Sequence, residues 1–441
     1  MPRVSARKNA SSVEESSGTA TQPRRGRRWL RWLIAFGIVL ILLLLLATWL
    51  LQPKQLVPLI LGRAGKSLGL EITADANAEA RLRGEPQLVV RKLVAREPGA
   101  KTAILRAERL LLALPWSTLR NGGKDAVIER VELDAPVLDV PALQAWLAKR
   151  PPSEETKIPT LTGGLRVVAG RIDNDSWRIE GISVTLPSLH PQKPVEAHIQ
   201  GRYVDAPTAI PFDLAVALTK PANDAGVAVF GPLTIERGDW RLPATIRLSG
   251  PLHLGEDEVT VIPTRLGVSA RYESGDTRLP FSLGLHGPLR FDEGTWVLAP
   301  VGVALRGESP IPAFDANGAL ALGRRLVVEL DGALPQWPDA WPVLPAPVSE
   351  STSPLPFALR YTGKPDLSAI AGLRLRRDAT DFESRFRLYD VLGWIDQADG
   401  SPLPPLDGHL TSPLMTISGA TLEGVDIVLN DHDVFSQDTK P

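Results

Sequence analysis

The stretch "TIRLSGPLHL" (245–254) decides the fold, because apolar residues alternate with polar or small ones along its whole length. A period of two places successive apolar side chains on one face of a β-strand. The same alternation recurs after residue 161 in many short segments separated by glycine and proline. The residues predicted to share this apolar face are Ile182, Val184, Phe212, Leu214, Val216, Ile246, Leu248, Phe281, Leu283, Leu285 and Val328. The sequence therefore predicts a mainly β protein with a large antiparallel sheet.

A short internal repeat accompanies the alternation. Gly-Pro-Leu occurs in "FGPLTI" (230–235), "SGPLHL" (249–254) and "HGPLRF" (286–291), with glycines 19 and then 37 residues apart. Because about 19 residues accommodate two strands of typical length and their turns, the spacing predicts a repeated hairpin. Chance recurrence in a chain rich in glycine, proline and leucine is the alternative.

The stretch "ILRAERLLLALPW" (104–116) fits two periods. As a strand it places Leu110, Leu112 and Leu114 on one face, whereas as a short helix it clusters Leu110, Leu111 and Leu114. The strand interpretation adds the first three leucines to the predicted apolar face.

Two short helices and one irregular segment are predicted outside the alternating strands. One helix spans 53–68, and another follows Asp139, which suits an N-cap, with Pro141 in the first turn. The proline- and serine-rich stretch 341–357 predicts an exposed linker or long loop.

Composition limits the classes of function. The 49 basic and 50 acidic residues are nearly balanced, so charge gives no support for a nucleic-acid partner. Cysteine is absent, which excludes disulfides and thiol chemistry. The 40 prolines and 37 glycines favour many turns over long helices.

The segment "WLIAFGIVLILLLLLATWLL" (32–51) predicts a transmembrane helix over residues 29–52. Its 20 residues carry no charge, which is enough to cross about 30 Å of hydrocarbon. A cleaved signal peptide would have a shorter apolar run and a small-residue cleavage site, so an uncleaved anchor is favoured. The predicted anchor residues are the mid-span Leu44 and the interfacial Trp29, Trp32 and Trp49.

The charges beside this segment predict its orientation. Five arginines precede it between residues 24 and 31, and three basic residues follow by residue 66, so the N-terminus is expected in the cytoplasm. Residues 1–28 are predicted to be a disordered cytoplasmic tail, and residues 431–441 a polar tail. The bulk of the chain is therefore expected beyond the membrane.

The sequence contains no recognisable catalytic motif. It lacks a P-loop, a dinucleotide-binding glycine pattern and a nucleophile elbow, and its six histidines are scattered. Asp173 and Asp175 fit a hairpin turn better than a carboxylate pair, and "DHD" (431–433) lies in the polar tail. The expectation is a protein that is not an enzyme and uses no cofactor or metal.

Residues 56–140 resemble the N-terminal region of the AsmA family of bacterial envelope proteins. The resemblance follows the order of a membrane anchor, a short helix, and the strands "LEITADA", "QLVVRKLVA" and "ILRAERLLLAL". Its most specific piece is "IERVELDAPVLDV" (128–140). The later "LTGGLRVVAGRIDNDSWRIEGISVTLP" (161–187) is similar to the family's middle region.

This resemblance implies an elongated, curled, taco-shaped sheet on an inner-membrane anchor, facing the periplasm of a Gram-negative cell. Residues 53–160 would form the AsmA-like N-terminal region, and residues 161–430 a β-groove. The apolar groove would bind or conduct phospholipid acyl chains for outer-membrane lipid homeostasis or assembly. The alternative is a structural adaptor whose closed β core carries no lipid. An envelope hydrolase is a third hypothesis.

Overall fold

A computed structural model describes residues 62, 65–66, 68–75, 79–81, 84–121, 127–149, 158–255, 258–292, 294–341, 343–395, 404–417 and 419–430. These residues belong to one compact unit, Val57–Pro441. The predicted tails 1–28 and 431–441 and the predicted transmembrane helix 29–52 lie outside the described residues. Of the helix predicted over 53–68, residues 62, 65, 66 and 68 are described, and all four are helical. Within the described ranges, no helix has the length and apolar character needed to span a membrane.

The prediction of a mainly β fold is confirmed, because 66% of the described residues are in strands and 6% in helices, and most strands form one long curled antiparallel sheet. The first part of the chain contains short strands and two short helices. They are β1 Glu71–Thr73, β2 Glu79–Arg81, β3 Gln87–Arg96, β4 Leu105–Ala113, α1 Trp116–Arg120, β5 Val127–Ile128, β6 Arg130–Asp134, β7 Val137–Asp139, α2 Val140–Leu147 and β8 Thr160–Leu161. The strand interpretation of 104–116 is confirmed, although β4 ends one residue before Leu114.

The rest of the chain is a meander in which each strand pairs with the next. Its elements are β9 Leu165–Asp173, β10 Arg178–Leu186, β11 Val195–Asp205, β12 Thr208–Leu218, β13 Asp224–Arg237, β14 Trp240–Leu254, β15 Glu258–Ser274, β16 Thr277–Asp292, β17 Thr295–Gly307, β18 Phe314–Leu322, β19 Leu326–Leu334, β20 Leu355–Gly363, β21 Ile370–Arg377, β22 Thr380–Arg387, α3 Leu388–Ile395, β23 Asp407–Ile417 and β24 Ala420–Leu429. Parallel pairing of β9 with β6 and β7 joins the meander to the first part. In the described chain, β24 pairs with β23 and not with β1 or β2, so strand pairing does not close the sheet into a barrel.

The strands that carry the Gly-Pro-Leu repeat are longer than predicted. The four strands β13–β16 have 14 to 17 residues each. A spacing of 19 residues is therefore one strand and its turn, and the predicted hairpin per repeat is wrong. The three glycines lie within strands, where neighbouring backbone approaches closely: a Cβ on Gly250 would lie 2.4 Å from the carbonyl oxygen of Pro263.

Pro251, Pro263 and Pro300 lie within long strands at positions of irregular pairing. The register shifts between Ser249 and Leu252, between Val261 and Thr264, and between Leu298 and Val301. Proline has no backbone N–H to donate to the ladder, so it is tolerated where regular pairing is interrupted. Bulges also bend the strand and increase its twist, which accounts for the curl of the sheet.

Two predictions on local structure have different outcomes. The helix after Asp139 is confirmed: α2 begins at Val140, and the Asp139 carboxylate accepts a 2.8 Å hydrogen bond from the N–H of Ala142. The interpretation of 341–357 as an exposed loop is partly wrong. Strand β20 begins at Leu355, and Val348 in the preceding loop is only 8% exposed.

Candidate functional site

Strand pairing assembles one continuous line of apolar side chains across the sheet. In an antiparallel ladder, directly paired residues project from the same face. Fourteen strands, β11 to β24, each contribute one paired residue that is apolar or glycine. This apolar row consists of Ala197, Val216, Val229, Leu248, Leu266, Leu285, Val303, Ala316, Gly332, Phe357, Leu375, Phe382, Leu410 and Ile427.

The predicted lining residues of the meander share the face of the apolar row. Three of them, Val216, Leu248 and Leu285, are members of it. Leu214 lies two residues along β12 from Val216, and Val184 joins through its pairing with Ile199, the partner of Leu214. The other predicted lining residues occupy equivalent alternate positions, namely Ile182, Phe212, Ile246, Phe281, Leu283 and Val328.

Across β10–β16 this face is only partly covered. Every predicted lining residue on these strands is half-buried, and none is fully buried. Among the described elements, α2 packs on β7 and α3 packs on β22, so neither helix covers β10–β16. Large apolar side chains therefore line the face without a packed layer over them, in the manner of an apolar binding surface.

The opposite face of the same strands is polar and charged. Cross-strand ion pairs lie along it, such as Arg202–Glu236 at 3.1 Å, and they continue on β17 and β18 with Arg306–Asp315 at 2.8 Å. Exposed pairs of this kind contribute little to stability. Their position on one side identifies that side as the solvent face and the apolar row as the inner face. An ion pair also lies on the inner face, at its edge: Arg237, which ends β13, pairs with Asp366 of the loop after β20 at 3.2 Å.

The inner face is packed, not open, across β17–β21. Buried side chains there form one hydrophobic cluster, the packed cluster: Leu298, Val301, Val303, Ala316, Leu330, Leu334, Val348, Leu355, Phe357 and Leu375. Val348 comes from the loop after β19, and Trp337, Trp341 and Leu344 from the same loop pack against the cluster. The inner face is therefore partly exposed from β10 to β16 and covered from β17 to β21. Strand β16 is the boundary, because its Leu283, Leu285 and Leu289 are half-buried against the packed cluster.

Strand pairing connects Leu110 of β4 to the face of the apolar row, through Leu133 of β6, Val167 of β9 and Val184 of β10. Leu110 packs against a separate small cluster of Val90, Leu93 and Ala107. Leu112 is half-buried within β4, and Leu114 follows the strand end, donating its N–H to the carbonyl of Pro86 at 2.9 Å. Leu112 is connected in the same way, through Val131 and Leu165 to Leu186 of β10. Leu110 and Leu112 therefore lie on the face of the sheet that carries the apolar row, although Leu110 packs in a separate cluster.

Sequence reasoning missed several residues of the inner face. Val229, Leu266 and Val303 follow the same alternation and belong to the apolar row, so the period alone was sufficient to find them. Phe357 was not predicted to line the face, because it ends the proline-rich stretch that predicts a loop. Leu375 was missed with it, since it joins the row by pairing with Phe357.

Three histidines of the solvent face pair with separate aspartates. His198 lies 2.8 Å from Asp213, His253 lies 2.5 Å from Asp224, and His409 pairs with Asp426 on a distant strand. Hydrogen bonding from His253 lowers the pKa of Asp224. In the part of the chain that the structure describes, no three potential ligands cluster as a metal site would require.

Asp173 and Asp175 lie at the turn between β9 and β10, as predicted. Asp173 ends β9 and accepts from Arg171 at 2.6 Å, and the N–H of Asn174 donates to the carbonyl of Trp177 at 2.9 Å. The two carboxylates therefore belong to a hairpin turn.

The fold and its inner face define a class of protein: an antiparallel meander with a continuous apolar face, open over part of its length. No family model, curated protein or solved structure matches the chain.

Proposed function

We propose that the inner face over β10–β16 binds the acyl chains of phospholipids. The observation that carries this proposal is the apolar row, which crosses 14 strands without a polar residue while its first six members, on β11–β16, stay partly exposed. Six strand spacings of about 4.8 Å give this open part of the inner face, the trough, a length on the order of 30 Å along the curled sheet. That length is comparable to the hydrocarbon core of a bilayer, which two lipid tails span end to end.

The energetics favour a flexible hydrocarbon as the occupant. Each methylene buried against the trough contributes about 0.8 kcal/mol, and no specific contact is needed for that gain. The row presents similar aliphatic side chains from strand to strand, so an acyl chain can move along it with little change in free energy. This property suits lipid transport better than catalysis.

The setting of this activity is part of the same proposal. The apolar segment 32–51 would hold the chain in the inner membrane, with the sheet in the periplasm. There the protein, as an AsmA-like member of the envelope, would contribute to outer-membrane lipid homeostasis or assembly. The anchor, the flanking arginines and the resemblance over residues 56–140 support this placement.

A structural adaptor is the second candidate, and one observation favours it. The packed cluster shows that part of the inner face is filled by the protein's own side chains. If other proteins or further packing also cover β10–β16, the sheet is a scaffold and carries no lipid cargo.

Photo-crosslinking of the full-length protein in its native membrane distinguishes the two candidates. A photoreactive amino acid replaces Leu214 on the inner face or, as the matched control, Ala215, the exposed next residue on the solvent face. Mass spectrometry then identifies attached lipid. We expect phospholipid adducts at position 214 and several-fold fewer at position 215.

The two candidate functions predict different adducts. Adducts at 214 that carry protein in place of lipid would favour the adaptor. Equal lipid labelling at both positions would show nonspecific contact with membrane and would contradict the proposed trough.

A further inference from the structure

A loop crosses the packed part of the inner face and occupies it as a ligand would. This loop, residues 337–353, is called the strap. It contributes Val348, Trp337, Trp341 and Leu344 to the packed cluster, and the rings of Trp337 and Trp341 meet edge to face with centroids 4.9 Å apart. Beneath these side chains the apolar row continues from Leu285 on β16 without interruption. The strap therefore covers the same surface that stays half-exposed on β10–β16.

One side chain holds the middle of the strap. The guanidinium of Arg377, at the end of β21, donates to the carbonyl oxygens of Val348 at 2.7 Å and Ser351 at 3.2 Å, and also to that of Ser353. In the described chain Arg377 forms no salt bridge, and its buried Nε has no hydrogen-bond partner. Within the residues that the structure describes, the guanidinium of Arg377 is therefore held by carbonyl groups of the strap alone, so these hydrogen bonds exist only while the strap is in place.

Few other polar contacts attach the strap. The Trp341 indole donates to the carbonyl of Pro310 at 2.8 Å, and the N–H of Thr416 donates to the carbonyl of Ala346 at 2.9 Å. The strands below it, by contrast, are hydrogen-bonded to both neighbours throughout. Because the strap is not part of the hydrogen-bonded strand ladder, it is the part of this region that can leave by local opening without breaking the sheet.

We infer that the strap is a removable occupant of a second acyl-chain site, which lies over β17–β21 and is continuous with the open trough. The strap's aliphatic and aromatic side chains stand in for a lipid tail. Its displacement extends the trough, and its return closes it. This inference rests on the proposed function, and it adds a gate at a defined position.

Because the chain contains no cysteine, two introduced cysteines can form a single disulfide that locks the strap in place. Ala346 and Thr416 form an isolated antiparallel bridge, and directly paired residues of this kind have Cα atoms about 4.5 to 5.5 Å apart, within disulfide range. The variant carrying both Ala346→Cys and Thr416→Cys is locked when oxidised and free when reduced. A photoreactive residue at Leu373 on β21, which packs against the covered cluster, reports lipid beneath the strap, and one at Leu214 reports the open trough.

The experiment uses the full-length protein with vesicles of a phosphatidylethanolamine and phosphatidylglycerol mixture. We expect lipid capture at Leu373 when the lock is reduced and its loss on oxidation, with capture at Leu214 unchanged by either treatment. Arg377→Gln should raise capture at Leu373 by about tenfold, the change that loss of charge-assisted hydrogen bonds implies. Arg376→Gln is the matched control, because Arg376 pairs with Asp381 on the solvent face and should leave capture unchanged.

Two results would overturn the inference for different reasons. Capture at Leu214 together with absent or redox-insensitive capture at Leu373 would refute the gate and leave the proposed function intact. No capture at either position would refute the lipid-binding function itself. The disulfide lock keeps the test valid even if Arg377→Gln impairs folding.

Discussion

Truncating one leucine in each part of the inner face tests whether the trough is open. Leu214 and Leu330 are both leucines within strands of that face, but Leu214 is half-buried and Leu330 is 5% exposed within the packed cluster. Leu330→Ala removes fully buried methyl groups and leaves a cavity, which costs about 2–5 kcal/mol. Leu214→Ala loses roughly half of a burial contribution of about 1.5–3 kcal/mol and leaves no closed cavity, so we expect about 1 kcal/mol.

The assay is urea unfolding of the delipidated protein, followed by the fluorescence of its tryptophans. Equal slopes of unfolding free energy against urea for both variants would show that the midpoints report stability alone. Adding phospholipid should then stabilise the wild type by about 2.7 kcal/mol at a hundred times the dissociation constant, and less for Leu214→Ala. A loss of 3 kcal/mol or more for Leu214→Ala without lipid would refute the reasoning, because a loss of that size requires a filled interior at β12.

Two further predictions concern backbone and charge. Gly287→Ala should cost more than about 1 kcal/mol, because its Cβ would lie 2.3 Å from a neighbouring carbonyl oxygen, whereas Gly267→Ala has nothing within 4 Å and should be neutral; urea midpoints compare them. Hydrogen bonds from Arg271, at 2.7 Å, and from Arg241 lower the pKa of Glu273 below 4.5. A lowered pKa stabilises the fold above the unfolded-state value, and this effect is lost as pH falls, so Glu273→Gln should destabilise at pH 7 and do so much less near about pH 3. An equal effect at both pH values would show that charge is not the cause.

The alternation of the sequence was sufficient to predict the sheet and its inner face. Ile246 and Leu248 lie on one face of β14, as the period of two predicts, because one face of that strand meets solvent and the other does not. Strand length was not predictable in the same way. Pro263 and Pro300 are ordinarily turn signals, yet both lie within long strands at positions where the register shifts.

The strap shows a different limit of sequence reasoning. Residues 341–357 have the composition of an exposed loop, and Val343 is indeed 92% exposed. Val348, five residues later, is buried because a concave apolar face lies beneath it, not because of any local pattern. Burial of a loop residue depends on its tertiary partners, so no local sequence period predicts it.

The contrast between the two parts of the inner face is itself an argument for a ligand. The apolar row has the same chemistry on both sides of β16, so the side chains of the sheet do not explain why only β17–β21 is packed. The difference is the strap, which places large apolar side chains over those strands. No described element does the same over β10–β16, and an apolar face of several strands left in water favours association. Under the proposed function, a flexible hydrocarbon chain would supply there the apolar cover that Trp337, Trp341 and Leu344 supply over β17–β21.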